Sequence, residues 1–179
     1  MAVLRVASLE LALEAVVPAN RNTLTHTDAA GRARMVDVGE KPVTQRTAVA
    51  EAFVRISPEL AAQIETNSLA KGNLLDIARL AGVMAAKRTD DLIPLCHQLR
   101  LDHADVEATL ETSPPRVRLR ATVRTHARTG VEMEALTAAA VAALTVIDMG
   151  KSVDRAMVVE GLRVIEKRGG RSGDWRAEP

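Results

Sequence analysis

Aromatic residues, cysteine and long apolar runs are all scarce in this sequence. Its 179 residues include one phenylalanine, one tryptophan and no tyrosine, so a row of nucleic-acid bases would find almost nothing to stack on. The single cysteine, Cys96, cannot form an internal disulfide, which favours a reducing, cytoplasmic location. No stretch reaches the ~20 uninterrupted apolar residues of a membrane helix. These absences argue against a membrane protein, a disulfide scaffold and a nucleic-acid-binding module.

The sequence also lacks an excess of either positive or negative charge. The chain has 24 Lys and Arg against 23 Asp and Glu, a formal net charge of +1, which argues against a broad surface for polyanions. Hydrophobic residues make up 47% of the sequence. A chain of this length can bury roughly 70% of its unfolded surface, so we expect one ordinary soluble domain.

Lysine is rare among the cations, because 19 of the 24 are arginine and only five are lysine. Lysine can lose its proton when its surroundings shift its pKa, whereas arginine effectively cannot. Each lysine is therefore a candidate for a specific role, the alternative being a codon bias that leaves a few lysines by chance. The five are Lys41, Lys71, Lys87, Lys151 and Lys167.

Hydrophobic periodicity and capping residues predict four strands and three helices. Ser57 and Asn73 are N-cap candidates, and Pro58 suits the first position of a helix. Opposite charges on the strands before and after Pro114 fit an antiparallel hairpin. The order strand, helix pair, strand, strand, helix, strand is the split β-α-β arrangement of a ferredoxin-like α+β domain, an antiparallel sheet packed against helices. Strands are expected at 41–56, 104–110, 117–123 and 158–167, and helices at 58–65, 74–88 and 132–149.

A short apolar segment precedes this domain. Arg5, Glu10 and Glu14 interrupt it, which is atypical of a signal peptide. We expect an N-terminal extension of unknown role over residues 1–22 and a single ferredoxin-like catalytic domain over residues 23–179.

Polar groups that could carry chemistry lie at the ends of the predicted elements. His97 follows Cys96 in a helix-to-strand connection, but neighbours on an extended chain point apart and no second cysteine exists, so a metal site is disfavoured. Glu132 and Glu134 begin the long helix, where carboxylates also complement the helix dipole.

The far end of the long helix and the C-terminal glycine turn hold further charges. Asp148 and Lys151 are three residues apart and so share a helix face, where such a pair either exchanges protons or only ties down the helix end. Lys71 directly precedes a helix, and Lys167 and Arg171 flank a glycine pair that resembles an anion cradle.

The length of the long helix separates these groups. Its interior, ALTAAAVAALTVI, carries no charge, so we expect it to be buried nearly all round. The 14 residues from Glu134 to Asp148 span about 21 Å at the helical rise. Two functional ends this far apart predict an oligomer in which the helix start of one subunit faces the helix end of another.

Four long segments occur in order between Leu24 and Trp175: LTHTDAAGRARMVDVGEKP, AAKRTDDLIPLCHQL, TGVEMEALTAAAVAALTVIDM and KRGGRSGDW. Together they resemble the cyclic pyranopterin monophosphate synthase family of molybdenum-cofactor biosynthesis. The resemblance implies a ferredoxin-like lyase, assembled as a hexamer from dimers with active sites shared between subunits. It implies a small-molecule substrate, 3′,8-cyclo-7,8-dihydro-GTP, converted to cyclic pyranopterin monophosphate with release of diphosphate. We expect no resident cofactor or metal, and the sequence leaves open whether Mg²⁺ accompanies the substrate triphosphate.

The resemblance also assigns site residues. The implied reaction needs repeated proton transfer, for which we expect Lys71, Lys151 and Asp148 to form a relay. It also needs charge stabilisation on the leaving diphosphate, for which we expect His97, Lys167 and Arg171. The implied catalytic set is Lys71, His97, Asp148 and Lys151. We expect Arg46 near the triphosphate, and the glycine turn adds Arg171. The expected substrate-binding set is Leu95, Cys96, His97, Glu132, Met133, Glu134, Lys167, Arg46 and Arg171.

Two positions depart from the family pattern. Gln98 stands where a proline usually follows the histidine, which could loosen the loop that holds His97. Gly150 stands where a larger residue such as cysteine is usual, and glycine there could shorten or bend the helix. Neither change removes a charged group that the chemistry needs.

Two other functions are compatible with this fold. A nucleotide-binding regulatory domain would explain the cations but not the proton-transfer groups at two helix ends. A ferredoxin-like RNA-binding module would need aromatic residues on its strands, and these are missing.

Overall fold

The structure, a computed structural model of the chain, describes residues 31–178, so the expected extension over 1–22 lies outside the described residues. The predicted order of elements is confirmed, and two short elements, α3 and β5, are additional. Strands are β1 Thr44–Arg55, β2 His103–Thr112, β3 Pro115–Ala127, β4 Val158–Arg168 and β5 Trp175–Arg176. Helices are α1 Pro58–Glu65, α2 Leu74–Ala86, α3 Thr89–Leu92 and α4 Glu132–Gly150.

The strands form one antiparallel sheet in the order β2-β3-β1-β4-β5. The predicted hairpin is confirmed: Glu107 faces Arg120 and Glu111 faces Arg116 across β2 and β3. The first four strands with α2 and α4 make the split β-α-β arrangement, which confirms the α+β fold class.

Local sequence sets the helix starts. The Ser57 side chain accepts a hydrogen bond from the Leu60 N–H, and Asn73 does the same for the Asp76 N–H, as expected of N-caps. Pro58 occupies the first turn of α1, where its missing N–H has no helical partner to lose.

The core lies between one face of the sheet and the α2–α4 pair. The helix-facing residues of β1 include Ala48, Ala50 and Ala52, all fully buried, and these small side chains let α4 lie close to the sheet. On α2, a Cβ at Gly82 would lie 2.8 Å from the carbonyl oxygen of Ala138, too near for any larger residue. Small residues therefore fix the position of α4, whose two ends carry the candidate site.

The expectation that α4 is buried nearly all round is wrong for a single chain. Its alanine face packs on the core, but Leu144 is 60% exposed and Met133 is 38% exposed. On α2, Leu80 and Met84 are exposed as well, so the two helices share an open apolar surface. By length and composition alone α4 could cross a membrane, but 56% of it is buried inside the domain, as in the core helix of a soluble fold.

Candidate functional site

A cleft of about 370 Å³ opens at the start of α4. It brings together the predicted residues of two distant segments, the connection after α3 and the first turn of α4. A third segment, before β1, supplies Val36, Val38 and Lys41, which the sequence did not place in the site. The predicted residues lining the cleft are Leu95, Cys96, His97, Glu132, Met133 and Glu134.

Glu134 is the most strongly perturbed acid in this cleft. It is only 4% exposed, and burial raises the pKa of its carboxyl from 4.5 to about 7. The negative charges of Glu132 and Asp90 act in the same direction, and a backbone hydrogen bond opposes them. Glu134 can therefore both give and take a proton near neutral pH.

His97 is held in one orientation by the backbone. Its Nε2 lies 2.8 Å from the carbonyl oxygen of Val36. Because a carbonyl only accepts, we assign the proton to Nε2, which leaves Nδ1 of the neutral ring free to accept a hydrogen bond. Beside it, burial and the charges of Glu134 and Asp90 raise the pKa of the Cys96 thiol, which disfavours the thiolate.

The glycine turn after β4 borders the site beside Glu132. The Lys167 ammonium donates to Ser172 Oγ at 2.9 Å and lies 3.9 Å from Glu132 Oε1. Gly169 and Gly170 have φ of +87° and +79°, and a Cβ at Gly170 would overlap the guanidinium of Arg46. The glycines therefore let the turn lie directly on Arg46.

Arg46 links this turn to the end of β3. Its Nε donates to the carbonyl of Ala127 and its Nη2 to that of Arg128, each at 3.1 Å. Arg46 therefore lies next to the turn, and two of its donors are already engaged. Arg171 lies in the same turn and lines the adjoining wider cleft.

The other end of α4 carries a separate cluster. Lys151 Nζ donates to Asp148 Oδ1 at 2.7 Å, and Lys71 Nζ lies 3.3 Å from Asp148 Oδ2 and 2.6 Å from the Asp148 carbonyl oxygen. The hydrogen bond from Lys151 and then that from Lys71 hold the pKa of Asp148 below its usual range. The three predicted relay residues therefore meet, including Lys71, which lies 77 positions before Asp148.

One chain does not bring the two clusters together. Glu134 and Asp148 lie at opposite ends of a continuous helix, 14 positions or about 21 Å apart. Within residues 31–178, no group of three or more His, Cys, Asp and Glu is placed to hold a metal ion.

Sequence comparison assigns this arrangement to a family. The profile of the MoaC family matches residues 35–170, which include nearly every element and both clusters. The chain belongs to the MoaC family. Relatives named cyclic pyranopterin monophosphate synthase include one from Chloroflexus aurantiacus, 57% identical over 155 residues, or 87% of this chain and 95% of the relative. One from Brucella ovis is 57% identical over 152 residues, or 85% of this chain and 92% of the relative.

The two departures from the family pattern are accommodated by the MoaC fold. A Cβ at Gly150 would lie 2.6 Å from Cδ2 of Leu60, so a larger residue here would require the end of the Leu60 side chain to move. The α4 backbone stays helical through Gly150, and Lys151 still reaches Asp148. Gln98 is exposed, and His97 keeps its bond to Val36.

Proposed function

We infer that this chain is a cyclic pyranopterin monophosphate synthase, an enzyme of molybdenum-cofactor biosynthesis. The observation that carries the inference is identity of 57% over 95% of a relative that bears this name. The reaction converts 3′,8-cyclo-7,8-dihydro-GTP to cyclic pyranopterin monophosphate and releases diphosphate. It opens and rebuilds the imidazole portion of the purine and closes a cyclic phosphate, so it needs repeated proton transfer and stabilisation of a polyanionic leaving group.

We assign the proton transfers of ring opening and closure to Lys71, Asp148 and Lys151. Asp148 lies between two ammonium groups at 2.7 and 3.3 Å, so a proton lost by either lysine leaves an amine still held in place. This arrangement supports a relay in which the lysines exchange protons with substrate and Asp148 orients them.

Glu134 and His97 serve the opposite side of the substrate in this proposal. The Glu134 carboxyl, with a pKa of about 7, is suited to exchange protons with the ring, and His97 presents Nδ1 toward a bound group. Leu95, Cys96 and Met133 supply the less polar wall. The substrate's ring is then held by carboxylates, backbone and methionine rather than by aromatic stacking.

Closure of the cyclic phosphate requires a sugar hydroxyl oxygen to bond to the α-phosphorus. The bond from that phosphorus to the bridging oxygen breaks, and diphosphate leaves with the electron pair. We assign charge stabilisation in this step to Lys167 and Arg171, and to His97 in the form that is protonated at both ring nitrogens, because only that form can donate through Nδ1. Arg46 supports the turn that carries Arg171.

We propose that the site is completed by a second copy of the chain. Met133, Leu136, Ala140, Leu144 and Ile147 are spaced by three and four residues along α4, and none is fully buried. The midpoint between Glu134 and Asp148 is Val141, next to small Ala140. A two-fold axis there, with α4 antiparallel to its copy, brings Asp148 beside the partner's Glu134. Three such dimers make the expected hexamer.

The proposed setting is cytoplasmic, in agreement with the single free cysteine. The proposed reaction uses no resident cofactor. Mg²⁺ would enter as a companion of the substrate triphosphate, and turnover measured with and without EDTA tests this.

The decisive experiment supplies the purified protein with 3′,8-cyclo-7,8-dihydro-GTP. We expect pyranopterin and diphosphate in equal amounts, measured by fluorescence after oxidation and by a coupled phosphate assay. Tight binding of the substrate without turnover would instead support the nucleotide-binding regulator.

A further inference from the structure

A buried acid that the proposed reaction does not use lies in the turn after α4. Asp154 is only 9% exposed and follows Lys151 by three positions. Its Oδ2 accepts the N–H of Ser57 at 2.6 Å, and its Oδ1 accepts the N–H of Ala156 at 2.8 Å. Both carboxylate oxygens therefore accept main-chain N–H groups, one of them from 97 positions away.

The contact between Asp154 and Ser57 joins the turn after α4 to the start of α1. Ser57 is the N-cap of α1, and the N–H of an N-cap residue has no partner within its own helix. In a capping box, an acid or amide at the third helical position accepts this N–H, but α1 has Leu60 there. Asp154 supplies the acceptor instead, with its negative charge at the positive end of the helix dipole.

The same turn closes the C-terminal end of α4. The N–H groups of Val153 and Asp154 both donate to the carbonyl of Gly150, at 2.9 and 3.0 Å. The N–H of Lys151, the C-cap residue, donates to the carbonyl of Ile147 at 2.9 Å. Helix ends fray where their last carbonyls lack partners. Here the main-chain bonds close the last turn, and the Asp154 carboxylate fixes that turn to α1.

The position of the Lys151 ammonium depends on this backbone. Lys151 Nζ donates to Asp148 Oδ1 at 2.7 Å, yet the two side chains are 61% and 60% exposed, so little packing holds them. An exposed lysine side chain has many rotamers, and a fixed main chain limits the volume that its ammonium can reach. Both side-chain hydrogen bonds of Asp154 go to main-chain groups, so this residue acts on Lys151 through the backbone.

On the basis of the proposed function, we propose that Asp154 is a positioning residue for the proton relay. By fixing the turn after α4 to the start of α1, it keeps the Lys151 ammonium beside Asp148. Asp154 itself exchanges no proton with the substrate. The role requires two acceptor oxygens on one side chain, because each oxygen accepts a different N–H.

The first test is kinetic and uses two variants of Asp154. Asp154→Asn keeps the shape but points an amide NH2 at a main-chain N–H, and Asp154→Ser keeps one acceptor oxygen in place of two. We expect kcat to fall about 10- to 100-fold in each, because a small displacement of a catalytic group is costly. The substrate KM should change by less than about threefold, because the relay is disturbed and binding is not.

Ser57→Ala is the matched control for both variants. It removes the hydroxyl that caps α1 through the Leu60 N–H, but it keeps the main-chain N–H that Asp154 accepts. We therefore expect Ser57→Ala to lower the stability of α1 and to retain the kcat of the wild type. An equal fall of kcat in Ser57→Ala would mean that only the stability of α1 matters, and it would overturn the positioning role.

The second test follows the Asp148 carboxyl and needs no turnover. The hydrogen bonds from Lys151 and then from Lys71 hold the pKa of Asp148 below its usual range. We expect Asp154→Asn and Asp154→Ser to raise this pKa toward its usual range, because Lys151 is no longer held beside the carboxylate. Ser57→Ala should leave it unchanged. NMR titration of the protein with 13C-labelled aspartate measures all three, and a fall in kcat without this rise would overturn the proposal.

Amide hydrogen exchange of the wild-type protein tests the contact without any variant, and so decides the case in which both variants of Asp154 unfold. The Ser57 N–H lies outside the hydrogen bonds of α1, so its protection depends on Asp154. We expect it to exchange slowly, and exchange at the rate of an unprotected amide would overturn the proposal.

The outcomes separate this proposal from the proposed function. A wild-type protein that turns over substrate, with folded Asp154 variants that keep its kcat and its Asp148 pKa, would overturn the positioning role alone. A wild-type protein with a protected Ser57 N–H, whose Asp154 variants raise the pKa of Asp148 but which never turns over substrate, would overturn the proposed function instead.

Discussion

At the scale of single residues, the two ends of α4 carry carboxyl groups whose pKa values are shifted in opposite directions. Burial raises the pKa of Glu134 to about 7, whereas two ammonium groups lower that of Asp148. At neutral pH Asp148 is therefore a carboxylate and Glu134 is divided between both forms. Such a separation is what a reaction with both proton donation and proton removal requires.

The raised pKa of Glu134 predicts a pH-dependent stability. The folded protein holds this proton up to pH of about 7, whereas the unfolded chain releases it near 4.5, so stability falls as pH rises through this window. The full shift corresponds to about 3 kcal/mol. Between pH 5 and 8, the free energy of unfolding of the wild type should fall by an amount of this order, and that of Glu134→Gln should not. Urea denaturation at each pH measures both. Glu59→Gln, at an exposed position of α1, should retain the wild-type dependence, and equal curves for all three proteins would contradict the prediction.

The relay predicts that charge alone is insufficient at Lys71 and Lys151. Lys71→Arg and Lys151→Arg keep a cation beside Asp148 but cannot release a proton. We expect kcat to fall by about 10²- to 10⁴-fold in each. Lys87→Arg, at the exposed C-cap of α2, should retain wild-type kcat. Arginine variants with wild-type turnover would show that the lysines act only as fixed charges.

At the scale of elements, short-range signals are sufficient for much of this fold. N-caps at Ser57 and Asn73 and the charge alternation around Pro114 depend on neighbouring residues, and these helices and the hairpin are confirmed. Four residues of α3 and two of β5 are too few to give a periodic signal. Their placement depends on packing and strand pairing with distant segments.

The candidate site likewise contains one pair that the sequence predicts and other contacts that it does not. Asp148 and Lys151 could be paired from their spacing alone, because one helical turn joins them. The carbonyl of Val36 that orients His97 comes from 61 positions away, and backbone carbonyls carry no residue-specific signal. The contact of Lys71 with Asp148 depends likewise on tertiary packing, so only the family resemblance indicated it.

The glycine turn gives a prediction at the level of one element. Gly170→Ala adds a Cβ that overlaps the Arg46 guanidinium at a φ of +79°. Gly173→Ala has a similar φ of +69° but no atom within 4 Å of its Cβ. We expect about 1–3 kcal/mol of backbone strain in each variant, measured by denaturation. Only Gly170→Ala should also raise the substrate KM, and equal KM values would mean that the turn does not shape the phosphate side.

At the scale of the whole molecule, the proposed contact between two copies through the open apolar surface of α2 and α4 would bring the two separated clusters into one site. Leu144, at 60% exposure, is more exposed than Met133, the other open apolar side chain of α4. We expect Leu144→Asp to give monomers by analytical ultracentrifugation and to abolish turnover, because a charge would be buried at the contact between copies. Circular dichroism serves as the control for folding. Active monomers would contradict the shared site.

A shared site also predicts that two inactive variants restore activity when mixed. Glu134→Gln alters the start of α4, and Lys151→Arg alters its end. Each proposed site consists of the α4 start of one copy and the α4 end of the other. In a mixed dimer, one site therefore contains both substitutions and the other contains none. Random exchange makes half of the dimers mixed, so turnover should recover to about a quarter of wild type after refolding together. Each variant refolded alone is the control. If every site were made by one chain, the mixture would remain as inactive as its components.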